Sequence, residues 1–288
     1  MKLTNHLGLP EPLVRAIARD SYVRGTADLT VTELIAPPRQ VALLREHRDT
    51  LEEDAADCIF RLFGKAIHEI LKQSAIDHYG ADEEVPQNVI VEERLSMPIA
   101  GWTVSGQLDH FVLAPTGRLD DWKITSVWSV LDGIKEEHEA QLNCYAHLLR
   151  SRGYDVNGLQ VVAILRDWSK LRAQREPDYP QTQVLRLPGR LWTPEETQAF
   201  METSVGLHRA ARTVLPSCTA EERWERPTRY AVMKAGAKRA LKLFDTAEDA
   251  ALFAQAQKAN VTVETRPGEA VRCAHYCGAS AVCTQWIG

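Results

Sequence analysis

Ile59, Phe63, Ala66, Ile67, Ile70 and Leu71 recur at three- and four-residue spacing, which predicts a helix from about Asp54 to Tyr79 with that face buried and Gly80 as its stop. His68 lies beside the predicted buried face. Upstream, TELIAPPRQVALLREH reads as helix capped near Thr32, so the first 80 residues are expected to be helical. From Asn88 to Ser126 the period changes to two. NVIVEERLSMPI, WTVSGQLDHFVL and LDDWKITS read as strands, the last two joined by the turn APTGR, so an antiparallel meander is expected. A helix over about Asp132 to Ser151, stopped by Gly153, leads to LQVVAILRDW, apolar enough for a central strand. After TQVLRLP, a helix is expected from Thr193 to Thr213. Helix, sheet, helix, strand implies an α/β core. Three stretches follow: an N-terminal helical segment (1–50), a core (51–216) and a C-terminal appendage (217–288) holding a hairpin in YAVMKAGAKRALKLF, a helix capped near Asp245 or Thr246, and a cysteine group.

A chain of 288 residues, 44% hydrophobic and 25% charged, has a globular composition and excludes disordered, collagen-like and mucin-like classes. With 34 Lys plus Arg against 39 Asp plus Glu the net charge is −5, so no global basic field advertises nucleic acid, though a local basic face fits within that total. No run of about 18 apolar residues occurs, and MKLTNHLGLPEPLVRAIARD lacks an apolar signal-type stretch; no membrane partner and a cytoplasmic location are expected. The 6 cysteines then read as thiols or metal ligands.

Strand geometry singles out the carboxylates. A turn centred near Pro115 sets Asp109 opposite Asp121 and Gln107 opposite Lys123. Alternation then places Asp109, Asp121 and Lys123 on one sheet face and Asp120 on the other. Like charges directly opposite are destabilising, and a divalent cation would resolve the repulsion. Hard oxygen ligands suit magnesium or manganese, which polarise phosphoryl oxygens and lower the pKa of bound water.

The hairpin reads G-x-x-D, eleven residues, then D-x-K followed by Ile-Thr. It resembles the PD-(D/E)XK nuclease superfamily. His68 in FGKAIHEIL resembles the G-x-x-x-H helix of the RecB-type branch, and Gln141 with Tyr145 in EAQLNCYAHLL resembles its Q-x-x-x-Y helix. The resemblance covers about residues 30 to 166. It implies a restriction-endonuclease-like core, a mixed central sheet flanked by helices, and a metal-dependent deoxyribonuclease, expected to be an exonuclease. His68, Asp109, Asp121 and the Trp122 backbone carbonyl would hold Mg²⁺ or Mn²⁺; Lys123 would activate water and balance charge; Gln141 and Tyr145 would contact the DNA strand. Glu92 and Glu93 are left outside this set as ordinary strand charges. The alternative is a catalytically inactive nucleic-acid-binding or assembly protein of the same fold.

Cys273, Cys277 and Cys283 form C-x3-C-x5-C in VRCAHYCGASAVCTQW. With one distant cysteine this resembles the iron-sulfur staple of RecB-type nucleases of CRISPR adaptation, although the first gap is one residue longer, and a 4Fe-4S cluster is implied, with zinc as the alternative. Where those relatives carry C-P-R, this chain reads Ala36-Pro37-Pro38-Arg39. The fourth ligand is then Cys218, Cys58, Cys144 or, for zinc, His275; Cys218 is favoured because it opens the appendage that the triplet closes. Lys234, Lys238, Arg239 and Lys242 offer phosphate contacts or a solvated hairpin edge. No P-loop occurs, so any helicase or recombinase is a separate partner. The expected substrate is DNA, single-stranded or at duplex ends, in a bacterial or phage-infected cytoplasm.

Overall fold

The computed structural model describes residues 1–19, 25–80, 88–257 and 260–287. The chain divides into two compact units, residues 1–42 with 52–215 and residues 43–51 with 216–288. The larger unit begins with β1 (Lys2–Thr4), α1 (Glu11–Ala18), β2 (Leu29–Thr30), α2 (Val31–Leu34) and α3 (Pro38–Glu46), which runs into the smaller unit. It resumes with β3 (Glu52–Asp54), α4 (Ile59–Gly80), β4 (Val89–Val91), β5 (Arg94–Ile99), β6 (Trp102–Gln107), β7 (His110–Val112) and β8 (Arg118–Thr125). It ends with α5 (Glu136–Arg150), β9 (Gly158–Leu165), α6 (Lys170–Arg175), β10 (Val184–Pro188) and α7 (Pro194–Ala211).

A five-stranded sheet, order β10-β9-β8-β7-β4, carries the site; β8 and β9 are parallel, as a helical crossover through α5 requires, and the other neighbours antiparallel. A second sheet, β2-β6-β5, lies in the same unit. Leu108, Phe111, Leu119, Leu142, Leu148, Leu165 and Met201 fill the core, each contributing about 1.5–3 kcal/mol by burial. The chain is thus a mixed α/β protein with several sheets flanked by helices.

Local chemistry explains the helix starts. Thr193 and Glu196 close a reciprocal capping box around Pro194 at the head of α7. Thr30, not Thr32, caps α2 through the same device with Glu33. The predicted helix around TELIAPPRQVALLREH is two helices, because the Pro37-Pro38 pair cannot continue the first. Short strands β1, β2 and β3 also interrupt the N-terminal region expected to be helical, and residues 1–42 cluster with the larger unit instead of standing apart.

Two other expectations are corrected. The meander strands bend: β4 and β7 belong to one sheet and β5 and β6 to the other, the break falling at Glu92–Glu93 and Leu108–Asp109. Gln107 consequently pairs with Arg94 and does not face Lys123. On α4, Phe63, Ala66 and Ile70 are exposed, while Lys65, His68, Leu71, Lys72, Ala75 and Tyr79 are partly buried. The helix is apolar on more than one side, and the His68 face is the one that pairs with Glu92 and Asp109, at the bends between the strands.

The smaller unit contains β11 (Glu225–Arg226), β12 (Arg229–Lys234), β13 (Ala240–Phe244), α8 (Ala247–Gln255), β14 (Val261–Arg266), β15 (Glu269–Ala270), α9 (Val271–His275) and α10 (Thr284–Ile287). β12 is central to β13-β12-β14, which buries Ala231 and Val232. Thr246 caps α8, and Phe253 of that helix meets Phe244 at 5.2 Å. Among the described residues no helix is long and apolar enough to cross a membrane.

Candidate active site

β7 and β8 pair in the predicted register: His110 opposes Asp120 and Phe111 opposes Leu119. One step further, Asp109 Oδ2 accepts the Trp122 N–H at 2.7 Å, which holds the carboxylate beside the neighbouring strand. Asp121 Oδ1 accepts from Lys123 Nζ at 3.1 Å. Its Oδ2, 2.8 Å from the same nitrogen, is buried and has no hydrogen bond of its own. Burial alone would push the Lys123 pKa down, but Asp121 and Asp109 attract its charge more strongly and the net shift is upward. Lys123 is therefore held as an ammonium.

Glu92, which sequence reasoning left out, belongs to the site. It sits at the bend between β4 and β5 with a left-handed φ of 50°, a conformation that costs a non-glycine residue free energy and is often found where function fixes the backbone. Its N–H donates to the Asp109 carbonyl at 3.0 Å, and its Oε2 accepts from Gln107 Nε2 at 2.7 Å. The signal lay in the two adjacent glutamates that interrupt the apolar alternation of NVIVEERL.

His68 closes the group from α4. Its Nδ1 is 3.3 Å from Glu92 Oε1 and 3.5 Å from Asp109 Oδ1, and its Nε2 is 3.1 Å from the Trp122 carbonyl. A carbonyl only accepts, so Nε2 carries a proton, and Nδ1 between two carboxylates carries the other. Asp109, then Glu92, raise the His68 pKa to about 10. Burial pushes the Asp109 carboxyl up, opposed by the His68 hydrogen bond and reinforced by Asp121. One ligand atom each from His68, Glu92 and Asp109 lies within 4.8 Å of the others; Asp121 stands beside this trio, against Lys123.

A pKa raised on folding means that the imidazolium stabilises the metal-free fold fully below the ordinary His value near 6.5 and loses that contribution as pH rises toward about 10. Thermal melts in EDTA should therefore separate wild type from His68→Gln at pH 6 and bring them together at the alkaline end; a constant gap across the range would show that the ion pair is not the cause.

On α5, Gln141 Nε2 donates to the Tyr145 hydroxyl at 2.9 Å, so the pair shares one helix face. Tyr145 is buried in the core, and its ring passes so close to β6 that a Cβ at Gly106 would stand 2.5 Å from Cε1. Gly106, the G of G-x-x-D, thus makes room for the ring. His138, one turn before Gln141, is a second residue the sequence did not single out: burial and then Lys123 push its pKa down to about 4, leaving a neutral imidazole next to the ammonium. Its three-residue spacing from Gln141 was the available signal.

Asp120 is not an inert neighbour. On the opposite face, buried, it accepts from Arg118 Nε at 2.7 Å and Nη2 at 3.1 Å, from Gln160 Nε2 at 2.7 Å, and lies 3.2 Å from His110 Nδ1.

In the smaller unit, burial pushes the Cys273 and Cys277 thiols up, with the charge of Cys283 adding to both and that of Cys273 adding to Cys277. Cys218 joins them through Gln285, whose Oε1 accepts the Cys218 N–H at 2.7 Å and whose Nε2 donates to its carbonyl at 2.9 Å. Cys58 and Cys144 are buried in the larger unit, and burial pushes the Cys144 thiol up to about 12. His275 Nε2 is 2.8 Å from Glu269 Oε1. Among the described residues no three cysteine sulfurs lie within 4.8 Å of one another. Lys234, Lys238 and Arg239 are exposed at the β12–β13 hairpin tip, whereas the Lys242 ammonium lies over the Phe244 and Phe253 rings.

No protein family's sequence profile matches the chain. No curated protein matches it. Among solved structures it is similar to one titled "Crystal structure of SSO0001", at 16% identity and a TM-score of 0.43, over 68% of this chain and 83% of that one. A likeness of that size carries no argument, and the functional reading rests on the chemistry of the residues themselves.

Proposed function

We propose that the chain is a metal-dependent DNA nuclease with the PD-(D/E)XK arrangement of the RecB-type branch, an exonuclease with a restriction-endonuclease-like core and a cysteine-clamped appendage. The observation that carries this reading is the meeting of His68, Glu92 and Asp109, from separate elements, beside the buried Asp121–Lys123 pair. Three carboxylates, an imidazole and the Trp122 carbonyl are a hard, oxygen-rich donor set that fits Mg²⁺ or Mn²⁺. Such an ion, when bound, would polarise the scissile phosphoryl oxygen and acidify a water.

The chain's own groups do the rest. His68 gives up its Nδ1 proton to become a ligand. Lys123, kept charged, balances the negative charge that grows on the phosphate oxygens. Gln141, oriented by Tyr145, is available to the strand flanking the cut. A separate helicase or recombinase would supply unwinding, in a bacterial or phage-infected cytoplasm.

The test is cleavage of end-labelled single- and double-stranded DNA with magnesium, manganese or EDTA. Metal-dependent products support the reading, and their lengths separate exonuclease from endonuclease. No cleavage by folded protein with either metal would replace it with an inactive nucleic-acid-binding protein of the same fold.

Cys218, Cys273, Cys277 and Cys283 would hold a 4Fe-4S cluster. Protein purified without oxygen should be brown with iron and sulfide bound; Cys218→Ser should lose the colour, and Cys58→Ser should keep it. One equivalent of zinc in colourless protein would overturn the cluster.

A further inference from the structure

Turning α4 inward on its His68 side leaves the aromatic rings at the helix start in water: Phe60 is 57% exposed and Phe63 49%. The rings meet edge to face at 6.2 Å, and the Arg166 guanidinium lies 3.9 Å over Phe60. Arg166 follows β9, and its N–H donates to the Thr125 carbonyl at the end of β8. Three residues past Thr125, Trp128 is 73% exposed in a 3-10 turn that Asp167 Oδ1 pins through the Val127 N–H at 2.7 Å. Arg166 and Trp128 thus emerge at the C-terminal ends of the parallel strands β8 and β9, where open α/β sheets hold ligands, and Phe60 is drawn there by its contact with Arg166. Lys123 is two residues from Thr125, about 7 Å along the strand.

The surroundings suit a polyanion. Arg166, Lys170 and Arg175 are exposed, and among the described residues none of the three forms an ion pair. The Arg172 charge in the same stretch is taken by Glu176. Exposed rings interleaved with unpaired cations beside a phosphodiester-cutting site match the chemistry of an unpaired nucleic-acid strand: base faces stack on rings, and phosphates meet guanidinium and ammonium groups. A duplex offers no such faces, since its bases cover one another.

We propose that Phe60, Phe63, Trp128 and Arg166 form a nucleobase-stacking subsite that grips an unpaired stretch of strand next to the nuclease site, with Lys170 and Arg175 on its phosphates. The subsite rests on the nuclease reading for its choice of ligand. Stacking on π-faces reads no sequence, so the grip is sequence-tolerant.

The experiment is fluorescence anisotropy of labelled oligothymidine, and of a blunt duplex, with the full chain in EDTA. Phe60→Ala and Trp128→Ala should each weaken single-strand binding about 5-fold or more, with duplex binding unchanged and melting temperatures like wild type. Phe60→Tyr, which keeps a ring, should bind as wild type, and Phe60→Leu, which keeps only apolar bulk, should not. Arg166→Ala should also lower the slope of log affinity against log salt by about 0.7.

Unchanged single-strand binding in Phe60→Ala and Trp128→Ala would overturn the subsite, as would equal losses for duplex, or a wild-type dimer that these substitutions dissociate, which would make the surface a contact between copies. Ring-dependent binding by a chain that cleaves nothing would support the subsite and sink the nuclease reading. Cleavage with ring-independent binding would do the reverse.

Discussion

Asp121→Asn is expected to lower metal-dependent DNA cleavage by at least about 10²- to 10³-fold, the scale seen when one charge-stabilising group leaves an active site, in a protein that still folds. The substitution is isosteric and removes one of two carboxylates that repel each other, Asp121 and Asp109. Both Asp121 oxygens face the Lys123 ammonium, Oδ1 at 3.1 Å and Oδ2 at 2.8 Å, and the Asn amide oxygen keeps one acceptor for it. Lys123 keeps the attraction of Asp109. A second variant separates the roles within the group: Glu92→Gln keeps the Gln107 and backbone geometry but removes a charge facing His68. It should raise the metal concentration for half-maximal cleavage about 10- to 100-fold with a smaller effect at saturating metal. End-labelled substrate titrated with manganese measures both. Full cleavage by Asp121→Asn would remove that carboxylate from the site, and an unchanged metal response in Glu92→Gln would return Glu92 to a structural role.

The opposite prediction holds one residue earlier. Asp120→Ala is expected to destabilise the protein by about 1–3 kcal/mol, because it removes the buried carboxylate that Arg118, Gln160 and the buried His110 share, leaving their donors without that acceptor. For a unit of this size that lowers the melting temperature by roughly 2–12 °C. Burial would raise the Asp120 pKa, but the His110, Arg118 and Gln160 hydrogen bonds outweigh it and the carboxyl is held below its usual value. The stabilisation is therefore present above about pH 4 and is lost as acid protonates the group. Denaturant unfolding at neutral pH, repeated at acid pH where the two proteins should converge, checks both parts. Wild-type stability in Asp120→Ala would mean that the network does not hold β7, β8 and β9 together.

Adjacent aspartates with such different fates show how far pattern reaches. Alternation alone separates Asp121 from Asp120, and the turn length sets Asp109 opposite Asp121, because strand geometry has a fixed period and a hairpin's register is set by its loop. The same logic failed for Gln107 and Lys123. It assumed a straight strand, whereas the chain bends at Leu108–Asp109 to serve two sheets. The bend also turns Glu92 from an edge charge into a site residue, a change that alternation has no means of recording.

For α4, period identified the helix and not the buried side. Phe63 and Ile70 matched the expected face, but the helix has apolar residues on more than one side, and the pairing of His68 with Glu92, Asp109 and the Trp122 carbonyl selects another. The exposed rings of Phe60 and Phe63 are a consequence of that choice. Among the cysteines, spacing grouped Cys273, Cys277 and Cys283 but left several candidates for a fourth; Gln285 brings Cys218 to them.

Read alone, the sequence determined the α/β order of elements, the hairpin register and the residue types able to hold a metal, because each depends on spacings of a few residues along one helix or strand. Tertiary structure decided which of those residues meet. His68 and Trp122 are 54 positions apart and Cys218 and Gln285 are 67, and contacts at such separations arise from how whole elements pack and where a strand bends, which no local period encodes.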